Sequence, residues 1–341
     1  MVSFTPTDRV LVTGANGYLG STIVKQLLSR GVHTRASVRS SASAEGLKAA
    51  FPDHPLLEIV FVPSLTEEGA FVSALKDVTY AIHTASPLTD HYTGNADRDL
   101  FQPALKGTTT ILKDGLSSPT LKKVVVTSSI AALRNEGERV WTEETWNPVT
   151  REVALELERN ASGDPATPLR IYGASKTFAE KAAWDWYGAA KPSFALTTVL
   201  PNFLVGEAAL REDSIKSPTA QLLWDALVSK GRAPSMSGRS GYVDVRDVAK
   251  IHIDALLEQT TDSKRLLAVG DAATNFEVKK VAHNLRPNLF GSVEGEDPEA
   301  QEKKSWPQVE KNQFAKDRIR PFEEILAEFI DYVTENKLAA L

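Results

Sequence analysis

Six short runs rich in β-branched and apolar residues recur through the first two hundred positions: RVLVTG, HTRASV, LEIVFV, TYAIHTAS, KKVVVTSS and FALTTVLP, starting at Arg9, His33, Leu57, Thr79, Lys122 and Phe194. Most are too uniformly apolar for a strand with one wet face, and segments with helix-forming composition separate them. A strand buried on both faces belongs in a parallel sheet covered by helices on both sides. The alternation therefore predicts an α/β, doubly wound parallel sheet. Between the runs, GSTIVKQLLSRG reads as a helix ending at Gly31, a glycine placed to terminate it. EEGAFVSALKDV (67–78) and FQPALKGTTTILKDGL (101–116) follow the same strand-to-helix rhythm and are expected to be helices.

After Leu200 the pattern changes. NFLVGEAALREDSIKSPTAQ (202–221) reads as loop, QLLWDALVSKG (221–231) as an amphipathic helix, and SGYVDVRDVAKIHIDALLE (240–258) returns to strand then helix. VEGEDPEAQEKKSWPQVEKNQ (293–313) is charged and expected to face solvent, whereas PFEEILAEFIDYVTENKL (321–338) carries apolar residues at helical spacing and should dock. The expected organisation is a nucleotide-binding domain over 1–200, with a returning segment near 240–270, and a smaller substrate-binding lid built mainly from 201–341.

Bulk properties narrow the functions. A formal charge of -5 without a basic run argues against nucleic-acid binding. The chain has no cysteine, which removes disulfides and thiolate metal sites, and its six histidines lack a metal-ligand spacing. No stretch has the length of a membrane span and the amino terminus lacks a signal-peptide pattern, so a soluble cytoplasmic protein is expected.

Gly14, Gly17 and Gly20 follow the first strand run and open the first helix. A glycine turn there lets backbone approach a pyrophosphate, and the helix amino terminus offers it unpaired N–H groups and a positive dipole end. Sites that choose NAD place an acid about 20 residues further on. From Arg9 through Ala44 there is no Asp or Glu, and TRASVRSS puts Arg35 and Arg39 at that place instead. An arginine meets a 2′-phosphate bidentately, so the end of the second strand points to NADP(H), with Arg39 the better placed of the two.

RIYGASKTFAEKAAW carries Tyr172 and Lys176, four apart and hence on one helical face. A phenol has a pKa of about 10, and an adjacent ammonium is expected to lower it toward use as a general acid. Thr127, Ser128 and Ser129 end the fifth run, where an open α/β sheet presents hydroxyls to its ligand crevice.

These motifs, TGANGYLG, VVVTSS and YGASK, resemble those of the extended short-chain dehydrogenase/reductases over nearly the whole chain. HTASP (83–87), EETWNPVT (143–150), SKTFAEKAAW (175–184) and YVDVRDVAKIH (242–252) resemble, more narrowly, fungal NADPH-dependent aldehyde and ketone reductases of the methylglyoxal-reductase type. Plant dihydroflavonol and cinnamoyl-CoA reductases are more distant relatives. The resemblance implies a Rossmann-type cofactor domain and reduction of a carbonyl by NADPH. It implies that Ser129 positions the carbonyl oxygen, Tyr172 donates the proton, and Lys176 binds the nicotinamide ribose. Gly14, Asn16, Gly17, Tyr18, Leu19, Gly20, Leu65, Ala85, Ser86, Pro201 and Leu204 would line the cofactor with Arg39.

Two positions depart from relatives: Ser64 stands where an adenine-contacting acid is frequent, and Ser43 where a lysine follows the arginine. The substrate pocket is expected from Ile130, Leu133, Arg134, Phe203, Trp224 and Tyr242, a mainly apolar wall around a small-molecule carbonyl compound. Two other functions fit the same fold: a nucleotide-sugar epimerase or dehydratase, and a non-catalytic NADP-sensing regulator. Monomer and homodimer both remain open from the sequence.

Overall fold

The computed structural model describes residues 3–86, 92–135, 137–160, 167–210, 213–228, 240–258, 264–297, 307–310 and 313–339. Its strands are β1 (Arg9–Thr13), β2 (His33–Val38), β3 (Leu57–Phe61), β4 (Tyr80–His83), β5 (Lys123–Thr127), β6 (Val140–Trp141), β7 (Ala195–Pro201), β8 (Phe203–Val205), β9 (Ser240–Asp244), β10 (Lys264–Ala268), β11 (Ala272–Ala273) and β12 (Gln308–Val309). All six sequence runs become strands of one seven-stranded sheet, ordered β10-β7-β5-β4-β1-β2-β3, and every pairing in it is parallel. The chain winds outward from β1 through β2 to β3, then crosses back to place β4 on the other side of β1. That reversal opens a crevice beyond the carboxyl ends of β1 and β4, where such sheets bind ligands.

Helices cover both faces: α1 (Tyr18–Ser29), α2 (Ser41–Ala50), α3 (Gln102–Gly115), α4 (Arg151–Asn160) and α5 (Thr167–Ala190) precede β7. After β8 come α6 (Asp213–Lys216), α7 (Pro218–Val228), α8 (Val245–Leu257), α9 (Asn275–Leu285), α10 (Gln313–Lys316) and α11 (Phe322–Glu335). The α1 helix ends as its sequence suggests, with Gly31 at φ 73° just past the cap residue Arg30. On one side Val10, Val12, Ile23, Leu27, Val248 and Ile251 join one apolar cluster; on the other, Leu11, Phe71, Leu75, Ile111, Val124 and Leu196 join a second. A third cluster, of Leu223, Trp224, Tyr242, Phe322, Ile325 and Phe329, lies in the last third of the chain.

Residues 67–78 differ from expectation. Phe71, Ala74, Leu75 and Val78 are buried as helix periodicity requires, yet the segment is a succession of turns. Its internal backbone bonds are mostly i to i+3, as from Val72 N to Gly69 O (3.1 Å), and others are made from outside: the Asp114 carboxylate accepts the N–H groups of Gly69 (3.1 Å) and Phe71 (2.8 Å). The Arg35 guanidinium donates to the carbonyls of Ala74 (2.8 Å) and Lys76 (2.7 Å). Gly69, at φ 78°, starts the segment in a left-handed turn.

The stretch 202–221, expected as loop, contains β8, α6 and the start of α7. β8 pairs in parallel with β9, Leu204 opposite Val243, and ends at Gly206 (φ 105°), where a Cβ would sit 2.5 Å from the buried Asp244 carboxylate. Within 293–313, β12 pairs with β6, so part of this charged stretch is tied to the body; residues 298–306 and 311–312 lie outside the described residues. The terminal α11 docks as its spacing predicts, burying Phe322, Ile325, Leu326, Phe329, Ile330 and Val333. Among the described residues no helix is long and apolar enough to cross a membrane.

Two histidines sit wholly inside, beneath the carboxyl edge of the sheet. His83 Nδ1 lies 2.8 Å from Thr13 Oγ1, and burial with the nearby Lys176 charge pushes its pKa down to about 3. His252 Nδ1 donates to the Val248 carbonyl (2.8 Å), so Nε2 accepts from Thr127 Oγ1 (2.9 Å); burial pushes it down to about 4. Both pKa values fall below the unfolded value of about 6.5, so the unfolded chain takes up these protons first on acidification. Their contribution to stability is complete above about pH 6.5. It is then lost at about 1.4 kcal/mol per histidine per pH unit as pH falls toward the folded values. Chemical denaturation at pH 7 and 4.5 should show a clear drop in unfolding free energy; equal values at both would contradict this account.

Candidate active site

The glycine turn is shaped by close backbone approach. Gly14 has φ 63°, and a Cβ there would meet Ala85 N at 2.9 Å and Thr84 Oγ1 at 3.0 Å. A Cβ on Gly20 would lie 2.2 Å from the Gly14 carbonyl oxygen, so α1 packs against the turn without room for any side chain. Gly17 donates to the Gly14 carbonyl (2.9 Å) and serves as the cap residue of α1. No side chain caps this helix start and no acid occupies its first turn. Its N–H groups and dipole thus fit an anionic diphosphate. Asn16 and Gly17 are exposed, whereas Leu19 is buried and can offer a ligand only its backbone. The Tyr18 hydroxyl donates to the Gly206 carbonyl (2.7 Å), tying the turn to the end of β8.

The two arginines separate clearly. Arg35 is 7% exposed, pairs with Glu58 (2.8 Å) and spends its remaining donors on the 67–78 turns, so it is part of the framework. Arg39 is exposed just past β2, beside Ser40, whose hydroxyl caps α2 by accepting from Ser43 N (3.3 Å). The departure at Ser43 thus places a hydroxyl in the capping turn, 3.1 Å from that of Ser40. Ser64 bonds with Thr66, and Leu65 lies within van der Waals reach of Gly107 on α3.

The adjacent serines also part company. Ser129 caps the short 3-10 turn Ile130–Leu133, accepting from Ala131 N (3.2 Å), and its hydroxyl is near enough to the Tyr172 phenol to draw that group's pKa down. Ser128 turns the other way and donates to Glu180 (2.7 Å). Gly173 on α5 faces this turn, and a Cβ there would be in ordinary contact, 3.5 Å from the Ala131 carbonyl oxygen. One turn along, the buried Lys176 ammonium donates to Ser86 Oγ (2.7 Å) and stands 5.6 Å from the Tyr172 ring centroid. Ser129, Tyr172, Lys176, Ser86 and Ala85 therefore converge at the carboxyl edge beside the glycine turn.

The expected lowering of the tyrosine pKa does not occur within the protein alone. Burial pushes Tyr172 up to about 12, against a smaller downward pull from the Ser129 hydrogen bond. Burial likewise pushes Lys176 down to about 8, opposed by the negative charge of Glu180. Desolvation disfavours both charged forms, and here it exceeds the neighbouring interactions.

Three expected wall residues prove to be core. Leu133 is fully buried with Trp141, Leu200 and Leu267. Trp224, 2% exposed, packs edge-on to Phe329 (6.2 Å between centroids), and Tyr242 stacks on Phe322 (5.5 Å). Their apolar bulk goes to packing between elements, which the spacing within each short motif does not reveal. Ile130 and Phe203 remain partly exposed, Arg134 caps the 3-10 turn, and Pro201 and Leu204 bracket the crossing from β7 to β8. Pro87, the last residue of HTASP, lies outside the described residues. Sequence reading missed the buried pair Glu180 and Arg265; the signal was a charge in each of two otherwise well-buried elements.

A glycine-lined crevice at a strand-order reversal, with a hydroxyl, a phenol and an amine converging beside it, defines a nucleotide-dependent enzyme of the Rossmann type. The chain belongs to the NAD dependent epimerase/dehydratase family, whose model matches residues 10–270. It is 33% identical over 307 residues to a putative NADPH-dependent methylglyoxal reductase of Candida albicans, covering 85% of this chain and 86% of the relative. A ketoreductase of Aspergillus fumigatus is 34% identical over 281 residues, covering 80% and 82%. Among solved structures, yeast methylglyoxal/isovaleraldehyde reductase complexed with NADPH superposes with a TM-score of 0.83 at 27% identity, covering 96% and 99%.

The arginine contrast has a direct consequence. Arg35→Met should lower the melting temperature by removing three charge-assisted bonds of a largely buried guanidinium. Arg39→Met should leave melting unchanged but weaken NADPH binding by about 10- to 100-fold, the loss of one charge-assisted contact. NADH affinity measured alongside should barely change; equal losses for both cofactors would remove Arg39 from the 2′-phosphate.

Proposed function

We propose that Ser129, Tyr172 and Lys176 form the site at which this protein, an NADPH-dependent carbonyl reductase, converts an aldehyde or ketone to an alcohol. The observation that carries the reading is the convergence of Ser129, Tyr172 and the buried Lys176, whose ammonium donates to Ser86 Oγ (2.7 Å) and stands 5.6 Å from the Tyr172 ring centroid, at the crevice edge beside the glycine turn. NADPH, when bound, supplies a hydride to the carbonyl carbon.

The chain's own groups handle the oxygen. Ser129 already accepts from Ala131 N, which leaves its hydroxyl proton available to the carbonyl oxygen. Charge that develops on that oxygen is met by the Ser129 and Tyr172 hydroxyls, fixed before the substrate arrives. Tyr172 then gives its proton to the oxygen, and the product leaves as an alcohol. Lys176 supplies the adjacent positive charge that stabilises the phenolate left behind, and positions the nicotinamide ribose. Gly14, Asn16, Gly17, Tyr18, Leu19 and Gly20 hold the diphosphate and Arg39 the 2′-phosphate. Ala85, Ser86, Leu65, Pro201 and Leu204 complete the cofactor groove.

We further assign the sheet half, 1–200 with the return near 240–270, to the cofactor, and the remainder of 201–341 mainly to the substrate. Ile130, Arg134 and Phe203 are the wall residues placed to meet a small aldehyde or ketone, in line with relatives named for methylglyoxal and isovaleraldehyde.

Purified protein should consume NADPH well ahead of NADH across a panel of aldehydes, α-keto esters and aryl ketones, read by reduced-nicotinamide absorbance. Tyr172→Phe should lower kcat by about 10²- to 10⁴-fold while NADPH binding persists. Undiminished turnover in that variant would refute the proton-donor role.

A further inference from the structure

Glu180 lies two helical turns beyond Tyr172 and one beyond Lys176, on the same side of α5, and is 2% exposed. Its carboxylate accepts from Ser128 Oγ (2.7 Å), Thr198 Oγ1 (2.7 Å), Arg265 Nε (2.9 Å) and Trp184 Nε1 (3.4 Å). These donors come from the end of β5, from β7, from β10 and from α5 itself. Arg265, 8% exposed, spends its remaining donors on the carbonyls of Glu143 (2.6 Å) and Thr145 (2.7 Å), with its guanidinium 3.7 Å from the centroid of the Trp146 ring. A cavity of about 10 Å³, room for about one water, lies between Glu180, Lys176, Ser86, Thr108 and Ser128.

A buried ion pair is poor value as a source of stability alone, because desolvation offsets the attraction. This one has a location that ordinary packing does not need. One carboxylate bonds the residue beside the carbonyl-binding Ser129 and stands one turn from Lys176. It is the group whose charge opposes the desolvation of that ammonium. We propose that Glu180, clamped by Arg265, is a positioning residue: it fixes the Ser128–Ser129 strand end against α5 and supplies the negative field that keeps Lys176 a cation. This rests on the assignment of Ser129, Tyr172 and Lys176 to the reaction.

Glu180→Gln keeps the shape and most hydrogen bonds but removes the charge. At pH 7 it should lower kcat by about 10- to 100-fold. The alkaline limb of the kcat–pH profile, where Lys176 loses its proton, should move toward acid by about one unit or more. Ser128→Ala, which leaves both charges in place, should lower kcat with NADPH affinity unchanged and the limb unmoved. A folded Glu180→Gln variant whose pH profile superimposes on that of the parent overturns the proposal. Where Glu180→Gln fails to fold, a Ser128→Ala variant with parental kcat overturns it, since the network would then serve folding alone. Full activity in Tyr172→Phe would instead bring down the underlying site assignment, a result independent of both variants.

Discussion

The approach of α1 to the end of β1 is the contact on which the crevice depends. A Cβ on Gly20 would sit 2.2 Å from the Gly14 carbonyl oxygen, and one on Gly14 would strike the backbone after β4. Only with both positions bare can the helix start and the β4 end stand close enough to share one ligand. The order β5-β4-β1 then brings the β5 terminus, with its serines, to the same edge. The serines that follow β5 thus owe their location to sheet order, and sheet order owes its usable crevice to two missing side chains.

At the carboxyl edge several buried polar groups are arranged in pairs. Thr13 bonds His83, Thr127 bonds His252, and Ser128 bonds Glu180. An unpaired buried hydroxyl or imidazole costs free energy that a paired one largely recovers. Two strands, β1 and β5, therefore end in hydroxyls whose orientation is fixed by partners underneath. Ser129 departs from this arrangement by turning toward Tyr172, which separates a reacting group from its structural neighbour one residue away.

How much of this was legible follows from range in sequence. The six strands and the i, i+4 relation of Tyr172 and Lys176 are local patterns, and both stand in the structure. The apolar spacing of 67–78 suits a helix, but Arg35 and Asp114, distant in sequence, bond its backbone from outside while its internal bonds are mostly i to i+3 turns. Leu133, Trp224 and Tyr242 looked like pocket walls because an apolar residue near a motif suits either a wall or a core. Only packing against Leu200, Phe329 and Phe322 decides. Glu180 and Arg265 stand 85 residues apart and meet only once β10 has joined the sheet beside β7.

Electrostatics set which groups of the site hold their protons. Burial favours the neutral phenol at Tyr172, and a proton donor must carry its proton at the working pH. A phenol held near 12 yields that proton readily only to a stronger base, which the alkoxide-like oxygen of a carbonyl receiving hydride becomes. The same burial that raises Tyr172 lowers Lys176, so without Glu180 nearby the positive charge would weaken where it must balance the departing proton. On the proposed assignment the buried carboxylate and the half-buried phenol have complementary tasks: one sustains the cation, and the other keeps the proton until the oxygen calls for it.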